Sequence, residues 1–402
     1  MTTHQSKIEK MIAELCPDGV EFKELGDILG KVSGSNKKVA KSQMEKVGKF
    51  PVYTQGANQA PDGYSNDEQS VINDVPVILY GDHTNSLKWI DRAFIAGADG
   101  VKLISATEES GLDNKFLYHY LRDKVSEILD GYARHFAKLR QIKIPVPPRE
   151  VQEEIVKVLD NFTELEAELE AELEARKKQY EHYRSELLSA PKGIESKELG
   201  ELGYFYGGLT GKSKEDFANG NAKYITYMNI FSNIAIDTNV DSFVKIGSQE
   251  KQNKIQYGDV LFTGSSETPN ECGMSSVLTT ETEEPLYLNS FCFGLRLNDT
   301  KQFLPDFLKH LFRDEQVRKQ IAKTASGVTR FNVSKKRFAK VSIPLFPLAE
   351  QKQIAATLDK FDALVNDISV GLPAEIKARR QQYEYYRNKL LTFKELGGVK
   401  SS

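Results

Sequence analysis

Four stretches of this 402-residue sequence carry residue types that could do chemistry. "YGGLTGKS" (206–213) has the Gly-Lys-Ser ending of a phosphate-cradling loop. That loop needs a glycine five residues before its Gly-Lys pair, and the position holds Tyr206; Gly207 leaves it one residue short. "PDGVEFKE" (17–24) has the Asp and Glu-x-Lys letters of a metal-dependent nuclease. Asp18 and Glu21 are only three apart, however, whereas two carboxylates on paired strands need a hairpin between them, and the matching "PKGIESKE" (191–198) has no Asp. In "YGDHTNS" (80–86), Asp82 and His83 are neighbours on an extended segment and face opposite ways, so a polar turn near a ligand is expected, not a dyad. "IPVPP" (144–148) lacks both the leading polar residue and the final ring of an amino-methyltransferase motif. The six histidines and the cysteines Cys16, Cys272 and Cys292 show no metal-ligand spacing. No catalytic residue, metal or bound cofactor is expected in this chain.

Two basic arms are more informative: "GYARHFAKLRQIK" (131–143) and "GVTRFNVSKKRFAK" (327–340). Each holds a small residue followed by arginine, an aromatic and lysines, the chemistry that meets base edges and phosphates. Net charge is only −3, but it is segregated. Residues 301–340 contain eleven Lys/Arg against three acids, 131–149 five against none, and 150–174 ten acids against Lys157 alone. The local field, not the sum, is what a phosphate backbone feels.

The elements that must position these arms come in two copies. "ARKKQYEHYRSELL" (175–188) returns as "ARRQQYEYYRNKLL" (378–391) with nine of fourteen positions identical. "IPVPPREVQEEIVKVLDNF" (144–162) returns as "IPLFPLAEQKQIAATLDKF" (343–361), and "PDGVEFKELG" (17–26) as "PKGIESKELG" (191–200). Such density of matches is an internal duplication. Each copy reads as a KELG lead-in, a variable stretch, an Ile-Pro exit and a long helix. A further "FKELGG" (393–398) closes the sequence, as in a circularly permuted ring opened at one seam.

Apolar residues at 3–4 spacing predict a helix over 149–189, roughly 60 Å long at 1.5 Å per residue, and a helix over the second copy that is broken or kinked at Gly371 and Pro373. One apolar seam needs a partner, and the other copy supplies it, antiparallel. The expected packing residues are Phe162, Leu169, Tyr180, Tyr183, Leu187, Phe361, Ile368, Tyr383, Tyr386 and Leu390. The variable stretches show strand-like runs at 50–56, 75–81, 93–104, 222–230, 258–264 and 286–297, then helices over 114–129 and 304–323; their residues do not align. The expected class is α+β: two globular α/β domains separated by two long antiparallel helices (a coiled coil) with pseudo-twofold, circularly permuted symmetry. The layout is an N-terminal helical segment (1–21), domain 1 (22–146), a central helix (147–190), domain 2 (191–345), a C-terminal helix (346–392) and a tail (393–402). No apolar run reaches the ~20 residues of a membrane helix, and "MTTHQSKIEK" lacks a signal-peptide core, so a cytoplasmic protein is expected.

The "IPxxPxxEQxxI" exit, the "ARR/KxQYExYRxxLL" helices, and "FPVYTQGANQ", "VILYGDHT" and "GLTGKSKEDF" resemble the DNA-specificity subunit of type I restriction-modification systems over nearly the whole chain. One departure is "REVQEEI" in the first exit, where Val151 replaces a first-turn Glu. The resemblance implies a non-catalytic subunit whose two target-recognition domains each read half of a bipartite, asymmetric sequence in double-stranded DNA. Its helices would set the spacer and dock two modification (methyltransferase) subunits, with restriction/translocase subunits beyond. S-adenosylmethionine, ATP and magnesium would belong to those partners. Expected DNA-contact residues are Gln55, Asn58, His83, Thr84, Lys88, Arg134, His135 and Lys138 in the first domain. In the second they are Lys212, Lys214, Asn229, Ser265, Ser266, Thr329, Arg330, Asn332 and Lys336. The competing expectations are a stand-alone DNA methyltransferase or nuclease, or a coiled-coil scaffold that does not bind DNA.

Overall fold

The computed structural model describes residues 2–34, 38–98, 100–125, 135–367 and 369–397. The chain forms two compact units, Met1–Glu170 with Ile376–Ser402, and Ala171–Glu375. Among the described residues no helix is long and apolar enough to cross a membrane.

In unit 1 the lead-in strand Glu21–Glu24 runs antiparallel to the exit strand Lys143–Val146, with Phe22 opposite Pro145. In unit 2, Ser196–Glu198 pairs in the same way with Ser342–Pro344. The Leu-Gly of each KELG then docks on the end of its basic arm. Leu25 and Gly26 donate their N–H groups to the carbonyls of Ile142 and Arg140, and Leu199 and Gly200 to those of Val341 and Ala339. A Cβ at Gly26 would stand 3.2 Å from the Arg140 carbonyl oxygen, and one at Gly200 would stand 3.2 Å from the Ala339 methyl. The glycine permits this close approach. The segment is structural, and its third occurrence has a related use. Val20 N–H donates to the Lys394 carbonyl, and Leu396 N–H to the Val20 carbonyl, both at 2.8 Å.

The variable stretches share one topology although their residues do not align. In unit 1, Phe50–Tyr53 lies parallel to Phe94–Gly97 and antiparallel to Gly63–Ser65, while Val71–Ile72 covers the far side of Phe94–Gly97. In unit 2, Ala222–Ile225, Leu286–Leu288, Phe243–Val244 and Lys254–Ile255 take the same places. A second sheet centres on Val77–Gly81, flanked antiparallel by Leu87–Ile90 and Val101–Ile104. Its counterpart centres on Val260–Thr263, between Ser275–Val277 and Cys292–Leu297, and gains the strand Gly203–Gly207. Both central strands are wholly buried, which explains their continuous apolar runs.

A helix closes each module. Asn114–Lys124 is capped by the Asp113 carboxylate. The expected single helix over 304–323 is instead two, Pro305–Leu311 and Glu315–Ala322, because the Asp314 carboxylate accepts from Gln316 N–H and starts a new helix. These helices carry a match hidden within the variable stretches, "FLYHYLRD" (116–123) against "FLKHLFRD" (307–314).

The matching histidines face the long helices. His119 is fully buried, with Nε2 2.8 Å from Asp160 Oδ1 and Nδ1 3.5 Å from the Tyr383 hydroxyl. His310 is fully buried, 2.7 Å from Asp359 Oδ1 and 3.2 Å from the Tyr180 hydroxyl. Asp160 and Asp359 occupy equivalent positions of the duplication, as do Tyr383 and Tyr180. Two fully buried glutamines repeat as well. Gln152 accepts from Asp113 N–H and donates to the carbonyls of Gly111 and Pro147. Gln351 accepts from Leu304 N–H and donates to those of Gln302 and Phe346. Each thereby fastens the start of a module's helix to the start of a long one.

The helix Arg149–Leu187 is continuous over 39 residues. The second copy is two helices, Leu348–Asn366 and Leu372–Leu390, parted by a turn in which the Asp367 carboxylate accepts from Ser369 and Val370 N–H. The expected break is thus a capped turn, and Pro373 sits in the first turn of the new helix, where proline is tolerated. In unit 1 Phe162 stacks on Tyr386 (centroids 5.5 Å apart) and meets Tyr383. Arg380 reaches back to Glu166 and Glu170, so the two segments run antiparallel. In unit 2 Phe361 stacks on Tyr183 (5.2 Å) and Tyr180 (6.3 Å), the same trio at equivalent positions. Leu390 is buried in the unit 1 core and Leu187 borders the unit 2 core. Leu169 is half-buried, and Ile368 lies outside the described residues.

Two outcomes follow for stability. Gln351→Ala strips buried backbone groups of their partners and should cost about 1–3 kcal/mol, read as a lower urea midpoint. The second outcome concerns pH. Burial holds His119 below its ordinary 6.5 despite the pull of Asp160. Burial opposes ionisation of Asp160 and Asp359, but the histidine hydrogen bonds and nearby lysines win and keep both below the ordinary 3.8. All three groups bind fewer protons folded than unfolded, so acid destabilises the protein. Stability should begin to fall as pH drops below 6.5, and the carboxylates should add to the loss below their ordinary value. His119→Gln should flatten the first phase in urea titrations run across pH.

Candidate nucleic-acid interface

In unit 2 the chain leaves the central strand at Thr263 and forms a short strand, Ser265–Ser266, against Phe331–Val333 of the basic arm. That segment pairs in turn with Ala325–Ser326, giving a three-stranded ribbon with Asn332 between Ser265 and Ser326. The hairpin turns at Gly327, whose φ is +152° and whose Cβ would lie 2.0 Å from the Arg330 carbonyl oxygen. Only glycine fits there. Val328 at the tip is 91% exposed, and Phe291 beside the ribbon is 61% exposed. The Arg330 guanidinium lies 5.7 Å from the Phe291 ring centroid and donates through Nε and Nη2 to Ser265 Oγ at 3.1 and 2.9 Å. The Tyr227 hydroxyl donates to the Ser265 carbonyl at 2.8 Å. The arm continues into the helix Lys335–Phe338, started by the Ser334 hydroxyl, with Lys335, Lys336 and Arg337 exposed.

The fold therefore gathers Ser265, Ser266, Thr329, Arg330, Asn332 and Lys336 onto one ribbon and the helix that follows it. Lys214 is exposed on a separate turn. Lys212 is engaged internally, 2.6 Å from Glu250 and donating to the Lys245 carbonyl. Glu250 is held near about 2 by the Gly247 N–H and by Lys212. Asn229 is also structural, donating to and accepting from the Asp237 backbone. The would-be phosphate loop begins as a strand, with the buried Tyr206 hydroxyl donating to Asp259, which also pairs with Arg296.

The first module repeats the plan. Its central strand leads into the turn 81–86, where Ser86 and Thr84 donate their hydroxyls to the Gln55 carbonyl and His83 N–H donates to Gln55 Oε1. Gln55, His83 and Thr84 are thus one constellation. Asn58 is exposed and closes its own turn by accepting from Ala60 N–H. The buried Asp82 clamps this turn to the arm, accepting His135 N–H at its carbonyl and Phe136 N–H at its carboxylate. Asp82 follows its central strand much as Ser265 follows the other, and both hold the basic arm.

Two expected contacts are corrected. Lys88 is 0% exposed, 3.5 Å from Asp62 and over the Tyr53 ring, an interior cation with no face to present to DNA. His135 is 1% exposed at the start of the helix Phe136–Leu139. Lys138 on that helix is exposed, and Arg134 lies outside the described residues. Phe291, Val328 and Ser86 were not anticipated. Phe291 had no local signal: it stands two residues before Phe293, a spacing that would put both rings on one face of a strand, yet it lies just outside the strand Cys292–Leu297 and is exposed.

Residues 17–175 and 191–378 match the family described as the type I restriction modification DNA specificity domain. The chain is 31% identical to the type I restriction enzyme EcoR124I/EcoR124II specificity subunit of Escherichia coli, over 97% of this chain and 98% of that one. It is also 31% identical to a putative type I restriction enzyme specificity subunit of Haemophilus influenzae, over 98% of this chain and all of that one. Its fold is similar to the crystal structure of a type I restriction-modification S subunit from M. genitalium (TM-score 0.55, 15% identity, 93% and 96% of the two chains). A second similar fold comes from a structural study of complex assembly in the type I restriction-modification system (TM-score 0.58, 15% identity, 93% and 98%). The chain belongs to the type I restriction modification DNA specificity family.

Proposed function

We propose that this chain reads a bipartite, asymmetric sequence in double-stranded DNA, one half-site per module, and scaffolds two modification subunits and the restriction subunits of its complex. The observation that carries this reading is the repeated clamp. In two modules of unlike sequence, the turn after the central strand is hydrogen-bonded to a basic arm. Shared backbone architecture with divergent exposed side chains is what two readers of different half-sites require. A spacer between half-sites set by the long helices is part of the same reading. The chain itself performs no catalysis and holds no cofactor. S-adenosylmethionine, ATP and magnesium are used by its partner subunits, in the cytoplasm. The acidic belt 150–174 repels phosphate and faces solvent or a partner subunit.

The test is a gel shift with the purified chain and its modification partner. The probe is the duplex identified by methylome mapping in cells carrying both. Affinity should fall log-linearly with salt, and scrambled competitors should fail at salt concentrations where the bipartite duplex is retained. Methyl transfer or cleavage by this chain alone, or binding without sequence preference, would refute the reading.

A further inference from the structure

We infer that the hairpin between Ser326 and Phe331 is a base-reading finger for the second half-site. Arg330 reads a guanine and Val328 contacts a thymine methyl group in the major groove. This rests on the DNA reading above and assigns its chemistry to particular atoms.

A valine 91% exposed at the tip of a tight hairpin contributes nothing to the core. Gly327 takes a backbone conformation that the turn requires and other residues resist, and the turn it makes carries Val328 outward. The apolar group that double-stranded DNA offers at a base edge is the thymine methyl. Beside the tip, Arg330 is already oriented. Ser265 Oγ holds its Nε and Nη2, and the Phe291 face lies below the guanidinium plane. An arginine has five N–H donors. Ser265 takes two, and the Nη1–Nη2 end retains the fork that matches guanine O6 and N7. Ordering this side chain before binding removes an entropic cost that a free surface arginine would meet on binding. The occupant is set by charge: Lys335, Lys336 and Arg337 follow on the next turn of chain, suited to phosphates flanking the base step. An exposed aromatic and aliphatic pair beside such a cationic strip fits a duplex better than the apolar face of a protein.

The experiment uses the full chain with its modification subunits and three exposed-site variants, Val328→Ala, Arg330→Lys and Phe291→Ala. Competition gel shifts would employ the cognate duplex and a set of single-base substitutions, with methylated motifs mapped in cells. Arg330→Lys keeps the charge but loses the fork, so it should lose roughly 5- to 150-fold discrimination at one guanine of the second half-site. Non-specific affinity and the slope with salt should remain. Phe291→Ala should give a weaker version of the same loss at the same base. Val328→Ala should relax one thymine position several-fold, and first-half-site discrimination should be untouched throughout. Unchanged discrimination in both the Val328 and Arg330 variants would overturn the finger while leaving the DNA reading intact. So would a Val328→Ala chain that reads DNA normally but releases its modification subunits, since the tip would then be a protein contact. A wild-type chain with no preference among duplexes would remove the DNA reading itself, and the finger with it.

Discussion

A long helix with one apolar seam cannot remain isolated in water, and the rest of this protein is organised around satisfying two of them. The solution is the same in both units. A phenylalanine of one helical segment meets two tyrosines of the segment packed against it, stacking on one of them in unit 1 and on both in unit 2. Stacked aromatic pairs contribute about 0.5–1.5 kcal/mol each beyond burial, whereas the exposed Arg380 pairs with Glu166 and Glu170 add little. The seam supplies cohesion, and the charged pairs favour register.

Hydrogen bonds then tie a recognition module to each seam. The histidine of the module's helix bonds an aspartate on one long segment and approaches a tyrosine hydroxyl on the other. A buried glutamine fastens the module's helix start nearby. Although Tyr, His and Asp together have the letters of a proton relay, both histidines are wholly buried and join three helical segments. Their duplication follows the architecture. Polar groups here are costly to leave unpaired, which makes them good determinants of one arrangement over others.

The repeated framework was legible because its constraints are local: 3–4 periodicity, proline at helix starts and near-identical segments. The candidate interface was only partly legible because its partners are distant in sequence. Ser265 and Arg330 meet across 65 residues, through a ribbon no local pattern announces. Lys88 and His135 were misplaced for the opposite reason. Their side chains suit DNA by type, but strand pairing buries one and the Asp82 clamp encloses the other. The match between "FLYHYLRD" and "FLKHLFRD" was in plain view, yet it is short and lies between stretches that share topology without residues. Asp314 shows a smaller limit: one carboxylate at a helix start divided what periodicity joined.

Each module also leaves the framework beside the point where it arrives, through strands paired over Glu21–Glu24 with Lys143–Val146 and over Ser196–Glu198 with Ser342–Pro344. A module mounted on two adjacent leads behaves as a cassette. On the proposed reading, genetic exchange within those leads would replace one module and leave the other module as it was. If each module reads its own half-site, as proposed, new addresses arise by recombining whole modules, without the many coordinated point changes that a reader woven through its scaffold would demand.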